Sequence, residues 1–427
     1  MVQYCWLAWI LLHAKKERRD RMPILLPEDY EYKLPKMYTV HQHFPDDCLE
    51  NPEEVLKNSL SREEIRILVK PGMKIAVAVG SRGITGISRI VKITVEYLKE
   101  LGASPFIVSA MGSHGGGTKE GQREVLAGYG ITEKAMGVPV VTDTDTVDLG
   151  TGKGGRHVWF DSVAYHADLI VPINRVKLHT DFVGELQSGI CKMLVIGLGN
   201  QKGCSAAHET DFQEFSDMLE QNAGLILEKA PVGFGVAIME NAFDQTCLLE
   251  AIPASRMIAR EKELVKQCVK RMPYIQVKKA DVVIVEEIGK DVSGAGFDPN
   301  ILGRSTVRNK YLLPIPEFQR MVLLDVTEAS HGNAIGVGLF DVITEKVFSK
   351  MDRKATYANA IACKCILDAR IPMIAKDEEE AVRIAVKSCR NLDMEKLRII
   401  RIKNTLQLEE IQVSEAIYRD EFARRAE

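Results

Sequence analysis

From Lys74 onward the apolar positions alternate between two periods. "KIAVAVG" is a short continuous apolar run ending in Gly80, and "PFIVSAM" is a second run ending at Gly112. Between them, "ISRIVKITVEYLKEL" repeats apolar residues at three- and four-residue spacing. Short apolar runs bounded by glycine predict buried strands, and the spaced run predicts an amphipathic helix. The three together predict a βαβ unit with parallel strands and a right-handed crossover. The alternation continues through the strand signal "ADLIVPI", the helix signal "DFQEFSDMLEQNAGLILEKA", the strand signal "GFGVAIM" and the helix signal "ASRMIAREKELVKQCVKRM".

A long polar helix signal ends near Pro273, and "ADVVIVEEIG" opens a new series with "RMVLLDV", a helix over "ATYANAIACKCIL" and a strand over "LRIIRIK". The fold class expected is α/β, with two α/β domains, residues 22–272 and 273–427, and an active-site cleft between them. In open α/β sheets ligands bind beyond the carboxyl ends of the strands, so chemistry is sought just after each apolar run.

Composition narrows the function classes. A chain of 427 residues exceeds one ordinary domain, and 46% hydrophobic with 27% charged residues is the profile of a globular protein. With 56 basic against 59 acidic residues the net charge is −3, which gives no footprint for nucleic acid or an anionic membrane. Nine cysteines without a CxxC pair point to a reduced, cytoplasmic protein. Cys363 and Cys365, two apart in the expected helix, face different directions and do not form a metal pair. The apolar stretch Val2 to Ala14 is too short to span a bilayer, and its basic cluster follows it where a signal peptide would have the reverse order. Residues 1–21 therefore read as an extended translation start or a disordered tail.

Candidate chemistry lies where the alternation leads. The turn after the first strand, "GSRGITGIS", carries Arg82 among glycines that let backbone approach an anion. It does not match GxGxxG, and "GTGKGG" and "GLGNQKG" do not have Walker spacing, so both read as turns. After the second strand, "MGSHGGGTKEG" sets His114 among small residues, with Thr118 as a helix cap. The densest group, "NRVKLHTDFVGELQSGICKMLVIGLGNQKGCSAAH", contains Lys177, His179, Asp181, Glu185, Lys192 and His208. From spacing alone His208 reads as a surface or cap residue and Lys192 as a solvated lysine. In the second half, Glu286, Glu287 and Lys290 leave a strand into a Gly-rich loop, and His331 follows another strand with nothing nearby to pair with it. Histidine titrates near neutrality, and lysine after a buried strand suits an anion.

Taken together, the Arg82 turn, the Gly-x-His at His114, the later His179, the pair Lys192 and His208, and the Gly289-Lys290 step resemble the lactate racemase family, the nickel-pincer-nucleotide-dependent isomerases. The resemblance implies that Lys192 bonds to the cofactor, that His208 is the protein ligand of its nickel, and that His114 and His179 are the acid/base pair. Arg82, Ser81, Lys290 and Glu287 would contact cofactor or substrate carboxylate. It implies a racemase or epimerase that inverts the α-carbon of a small-molecule 2-hydroxy acid by hydride transfer.

Val79 stands where the family has an acid, Glu286 and Glu287 replace a Tyr-Gln pair, and no tryptophan follows Trp159, so a longer acid or a sugar acid is the expected substrate. The rivals are a nicotinamide-dependent dehydrogenase, which lacks its fingerprint here, and a non-catalytic nucleotide- or sugar-acid-binding protein.

Overall fold

The computed structural model describes residues 24–80 and 83–423. The N-terminal extension, Ser81 and Arg82 therefore lie outside the described residues. The chain divides into two units, one of His43–Tyr274 with Pro299–Ile315 and the other of Met1–Gln42, Ile275–Asp298 and Pro316–Glu427. Both are α/β, as the sequence pattern predicts.

The first unit is built on a six-stranded sheet. Its strands are β1 (Lys74–Val79), β2 (Ser104–Ser109), β3 (Val140–Val141), β4 (Leu169–Arg175), β5 (Phe234–Glu240) and β6 (Thr246–Pro253), arranged β3-β2-β1-β4-β5-β6. All neighbours are parallel except β5 and β6, which form an antiparallel pair. Ile75 to Val79 are all fully buried, as a central parallel strand covered on both faces requires. Helix α1 (Ile87–Glu100) crosses from β1 to β2 and buries Ile87, Ile90, Val91, Thr94, Val95 and Leu98, a stripe at helical spacing. Helix α2 (Lys119–Gly128) begins at Thr118, whose hydroxyl accepts the Gly121 N–H, the cap expected from the sequence.

Further along lie a three-residue helix α3 (Ile190–Lys192), a π turn over Met193–Gly197, and helices α4 (Asn200–Ala207), α5 (Phe215–Lys229) and α6 (Met257–Arg271). "GTGKGG" is a hairpin connection, between strands Thr146–Thr151 and His157–Asp161. "GLGNQKG" is more than a turn, because it ends the π segment and starts α4. Gly197 is required there, since a Cβ would fall against the Ala110 carbonyl.

The second unit has a seven-stranded sheet whose strands run in the order Met37–His41, Glu410–Ser414, Ile399–Ile402, Val282–Ile288, Arg320–Val326, Val342–Thr344 and Met373–Ala375. The first two pairings are antiparallel and the other four parallel. Helix Glu378–Lys387 packs Ala381, Val382, Ala385 and Val386 onto this sheet together with Leu25. The helix expected over "ATYANAIACKCIL" stops at Ala362. Lys364 takes a left-handed φ of 59°, so Cys363 and Cys365 leave the helix, and each thiol donates to a nearby carbonyl.

Among the described residues no helix is long and apolar enough to cross a membrane. Leu98, fully buried in the first unit's core, tests this packing: Leu98→Ala should lower unfolding free energy by about 3 kcal/mol, read from the urea midpoint at unchanged slope. An unaltered midpoint would contradict its core position.

Candidate active site

Strand β4 is buried along all but its last residue, and the chain leaving it makes a closed loop. Val176 N–H donates to the Ile238 carbonyl at 2.8 Å, and Lys177 and Ser188 exchange backbone hydrogen bonds of 3.0 and 3.1 Å. The loop between them carries His179, Asp181 and Phe182. Gln187, fully buried, accepts the His179 N–H at 2.8 Å, and Asn300 Nδ2 donates to the His179 carbonyl at 3.1 Å. Arg308 Nη1 in turn donates to Asn300 Oδ1 at 3.0 Å. Both faces of the His179 backbone are thus fixed by side chains, which orients the ring.

That ring is constrained at both nitrogens. The Asp181 N–H donates to Nδ1 at 3.1 Å, so the neutral ring carries its proton on Nε2. Nε2 lies 2.7 Å from Lys192 Nζ. An N–H facing a nitrogen makes a hydrogen bond only when that nitrogen has a lone pair, so Lys192 is an uncharged amine in this arrangement. Burial, then the charges of Lys192, Lys177, His208 and Arg308, hold His179 well below its ordinary value, and burial likewise lowers Lys192. The solvated lysine expected from spacing is instead half-buried and paired.

His208 closes α4, as its reading as a cap residue anticipates. Its Nδ1 lies 2.7 Å from the Cys204 carbonyl, which can only accept, so Nδ1 carries the proton and Nε2 keeps a lone pair. A chain of rings connects it to His179: His179 to Phe182 at 4.3 Å, Phe182 to Phe215 at 4.7 Å, and Phe215 to His208 at 5.5 Å between centroids.

Cys204 lies one helical turn before His208, and its thiol donates to Ser113 Oγ at 3.7 Å. This joins α4 to the glycine turn of His114, as does the 3.0 Å hydrogen bond from Gly112 N–H to the Gly197 carbonyl. His114 itself is exposed on a short 3-10 turn. The turn is held from beneath by the buried Gln122, which donates to the Gly112 carbonyl and accepts from Ser109 Oγ.

Beyond β1, the chain at Thr85 is held by Glu240, at the end of β5. Its Oε1 accepts the Thr85 N–H at 2.7 Å, and its Oε2 pairs with Arg175. Val79, the last residue of β1, is fully buried.

In the second unit, Glu287 accepts from Asn404 Nδ2 at 2.9 Å and Glu286 pairs with Arg401. Lys290 Nζ donates to the Gly294 carbonyl at 2.6 Å and to Asn359 Oδ1 at 2.8 Å. His331 is exposed and takes a left-handed φ of 48°.

Sequence reading passed over Gln187, Asn300, Arg308, Cys204 and Glu240. Only Cys204 had a local signal, its i, i+4 spacing from His208. Among the described residues no group of three or more His, Cys, Asp or Glu side chains is arranged to hold a metal.

The lactate racemase N-terminal domain family matches residues 21–218, the stretch that holds His114, His179, Lys192 and His208. Among solved structures the chain is similar to the lactate racemase apoprotein from Thermoanaerobacterium thermosaccharolyticum, with a TM-score of 0.55 and 16% identity over 83% of this chain and 91% of that one. No curated protein sequence matches it. The domain match covers the loop and helices that carry the paired histidine and lysine, so residues 21–218 are similar to a lactate racemase N-terminal domain.

Proposed function

We propose that the protein racemises or epimerises a 2-hydroxy acid with the help of a nickel-pincer nucleotide. The observation that carries this reading is Lys192 Nζ 2.7 Å from His179 Nε2, on the helical segment that leads to His208. The donor set suits the group: an uncharged amine is a nucleophile able to bond covalently, and one imidazole lone pair is a borderline ligand for nickel. Lys192 and His208 would hold it. When bound, the group supplies hydride acceptance from the α-carbon and hydride return to it.

The chain's own residues handle the proton. His179 stays neutral at pH 7 because burial disfavours imidazolium, so it can accept the substrate's hydroxyl proton. In the free protein Nε2 carries the ring proton and faces Lys192, so acceptance of a hydroxyl proton there requires the amine to leave and the ring to change tautomer, with Nδ1 giving up the Asp181 N–H. His114, on its glycine turn, is assigned the same task on the opposite face. Arg82, Ser81, Lys290 and Glu287 are assigned cofactor or carboxylate contacts on the resemblance alone.

The test is to express the protein in a host able to make the cofactor, measure bound nickel, and incubate it with single enantiomers of a panel of 2-hydroxy acids. Loss of enantiomeric purity with nickel present supports the reading; neither nickel nor racemisation with any acid would overturn it. His114→Ala and His179→Ala should each lower kcat by about 10²- to 10⁴-fold with nickel retained, whereas His208→Ala should lose nickel. Because His179 is held below the ordinary histidine value, the acid limb of kcat/KM should lie on the acid side of an ordinary histidine titration.

A further inference from the structure

The lysine of the proposed site hangs from a helix of three residues, which cannot fix its own first turn. Two side chains from elsewhere in the unit hold it. Asn174, at the end of β4, donates from Nδ2 to the Gly189 carbonyl at 2.7 Å. From α6, the fully buried Glu261 accepts the Cys191 N–H on Oε2 at 3.0 Å, and the Ile190 N–H also reaches its carboxyl group. Gly189 is shaped to this carboxyl group, since a Cβ there would overlap it. The other oxygen, Oε1, is buried with no hydrogen-bond partner among the described residues.

A carboxyl group in a closed apolar core is costly unless its hydrogen bonds do something a neutral residue would not. Neither the hydride chemistry nor the proton transfer uses it. We propose that Glu261 is the positioning residue for Lys192: through the backbone N–H groups of Ile190 and Cys191 it sets where the lysine amine meets His179. This inference rests on the reading of Lys192 as the cofactor lysine.

The environment makes the grip depend on pH. Burial pushes Glu261 up to about 7, so its charge changes near neutrality. Two thiols near it lie outside that range. Burial raises the Cys191 thiol of α3 well above its ordinary value and pushes the Cys268 thiol of α6 up to about 12. From α5, Glu220 is paired with Lys262, which also meets Glu185, and Arg260 is paired with Glu250 and Glu263. An ionised carboxylate accepts backbone N–H bonds more strongly than a neutral one, so the cap tightens as Glu261 loses its proton. The stability sign is opposite. A value raised above the ordinary 4.5 contributes stability that is complete below that value and lost as pH rises through about 7.

The test uses the full chain without cofactor or substrate and N-hydroxysuccinimidyl acetate as the amine probe. Lys192 acetylation is followed by peptide mass spectrometry between about pH 5 and pH 9. Wild type should show two titrations in its rate profile, that of the amine and a second near neutrality. Glu261→Gln keeps an acceptor for the N–H groups but not the charge, and should lose the second titration while circular dichroism is unchanged. Glu261→Asp should keep that titration with its midpoint shifted, and it carries the test should the Gln variant fail to fold. A second titration absent from wild type, or one unmoved in both variants, would overturn the proposal. Since the readout needs neither nickel nor turnover, its failure leaves the racemase reading untouched, and failure of that reading leaves the coupling of Glu261 to Lys192 measurable.

Discussion

A neutral imidazole has two nitrogens and one proton, so committing one nitrogen commits the other. At His179 the Asp181 N–H takes the lone pair of Nδ1, and the remaining N–H points at the Lys192 amine 2.7 Å away. A charged lysine in that place would need an acceptor that Nε2 is not. Burial acts in the same direction on both partners, since desolvation favours the neutral form of each. Gln187 and Asn300 on the His179 backbone, and Phe182 against its ring, keep the imidazole in the one orientation where this holds.

The backbone next to this pair is irregular. The helix of Lys192 widens at once into a π turn, a form of single-turn insertion that re-aims side chains and occurs often at functional sites. Asn200, three residues on, takes a left-handed φ of 52°. It is fully buried and donates to Asp161 Oδ2 at 2.9 Å, while Asp161 also caps the next short helix through the Ala164 N–H. Strain of this kind persists only where the surroundings over-determine it, and here a buried carboxyl group does so.

The alternation of apolar runs and spaced apolar positions was enough to read four of the six strands of the first sheet and three of the seven of the second, because burial on two faces leaves an unbroken apolar run and burial on one leaves a helical stripe. Ile75–Val79 and the stripe of α1 are examples. Lys192 was harder: a lysine within "GICKML" has no local feature that distinguishes a solvated amine from a paired one, and only the loop closure at Lys177 and Ser188 brings His179 to it. Asn300 and Arg308 carry no signal at all, since they join the first unit as a short segment returning far along the chain. The end of the helix at Ala362 was missed for a different reason: a left-handed lysine leaves no mark in composition.

The charges near His179 bear on what can approach it. Lys177 and Arg308 both disfavour imidazolium, and the opposing carboxylate of Asp181 lies 4.0 Å from Nδ1. At an effective dielectric of about 20 a unit charge 5 Å away is worth about 3 kcal/mol, enough to govern the orientation of a small ion. The same cations therefore do two things: they keep the ring in the form that accepts a proton, and they favour an anion beside it over a cation. A 2-hydroxy acid carries its carboxylate and hydroxyl on one carbon, so attraction of the first brings the second toward the base. A neutral alcohol would gain only the hydrogen bond, and an amine would be repelled. If His179 is the base, as proposed, a preference for a carboxylate arises at that ring, before any contribution from the residues assigned to grip it.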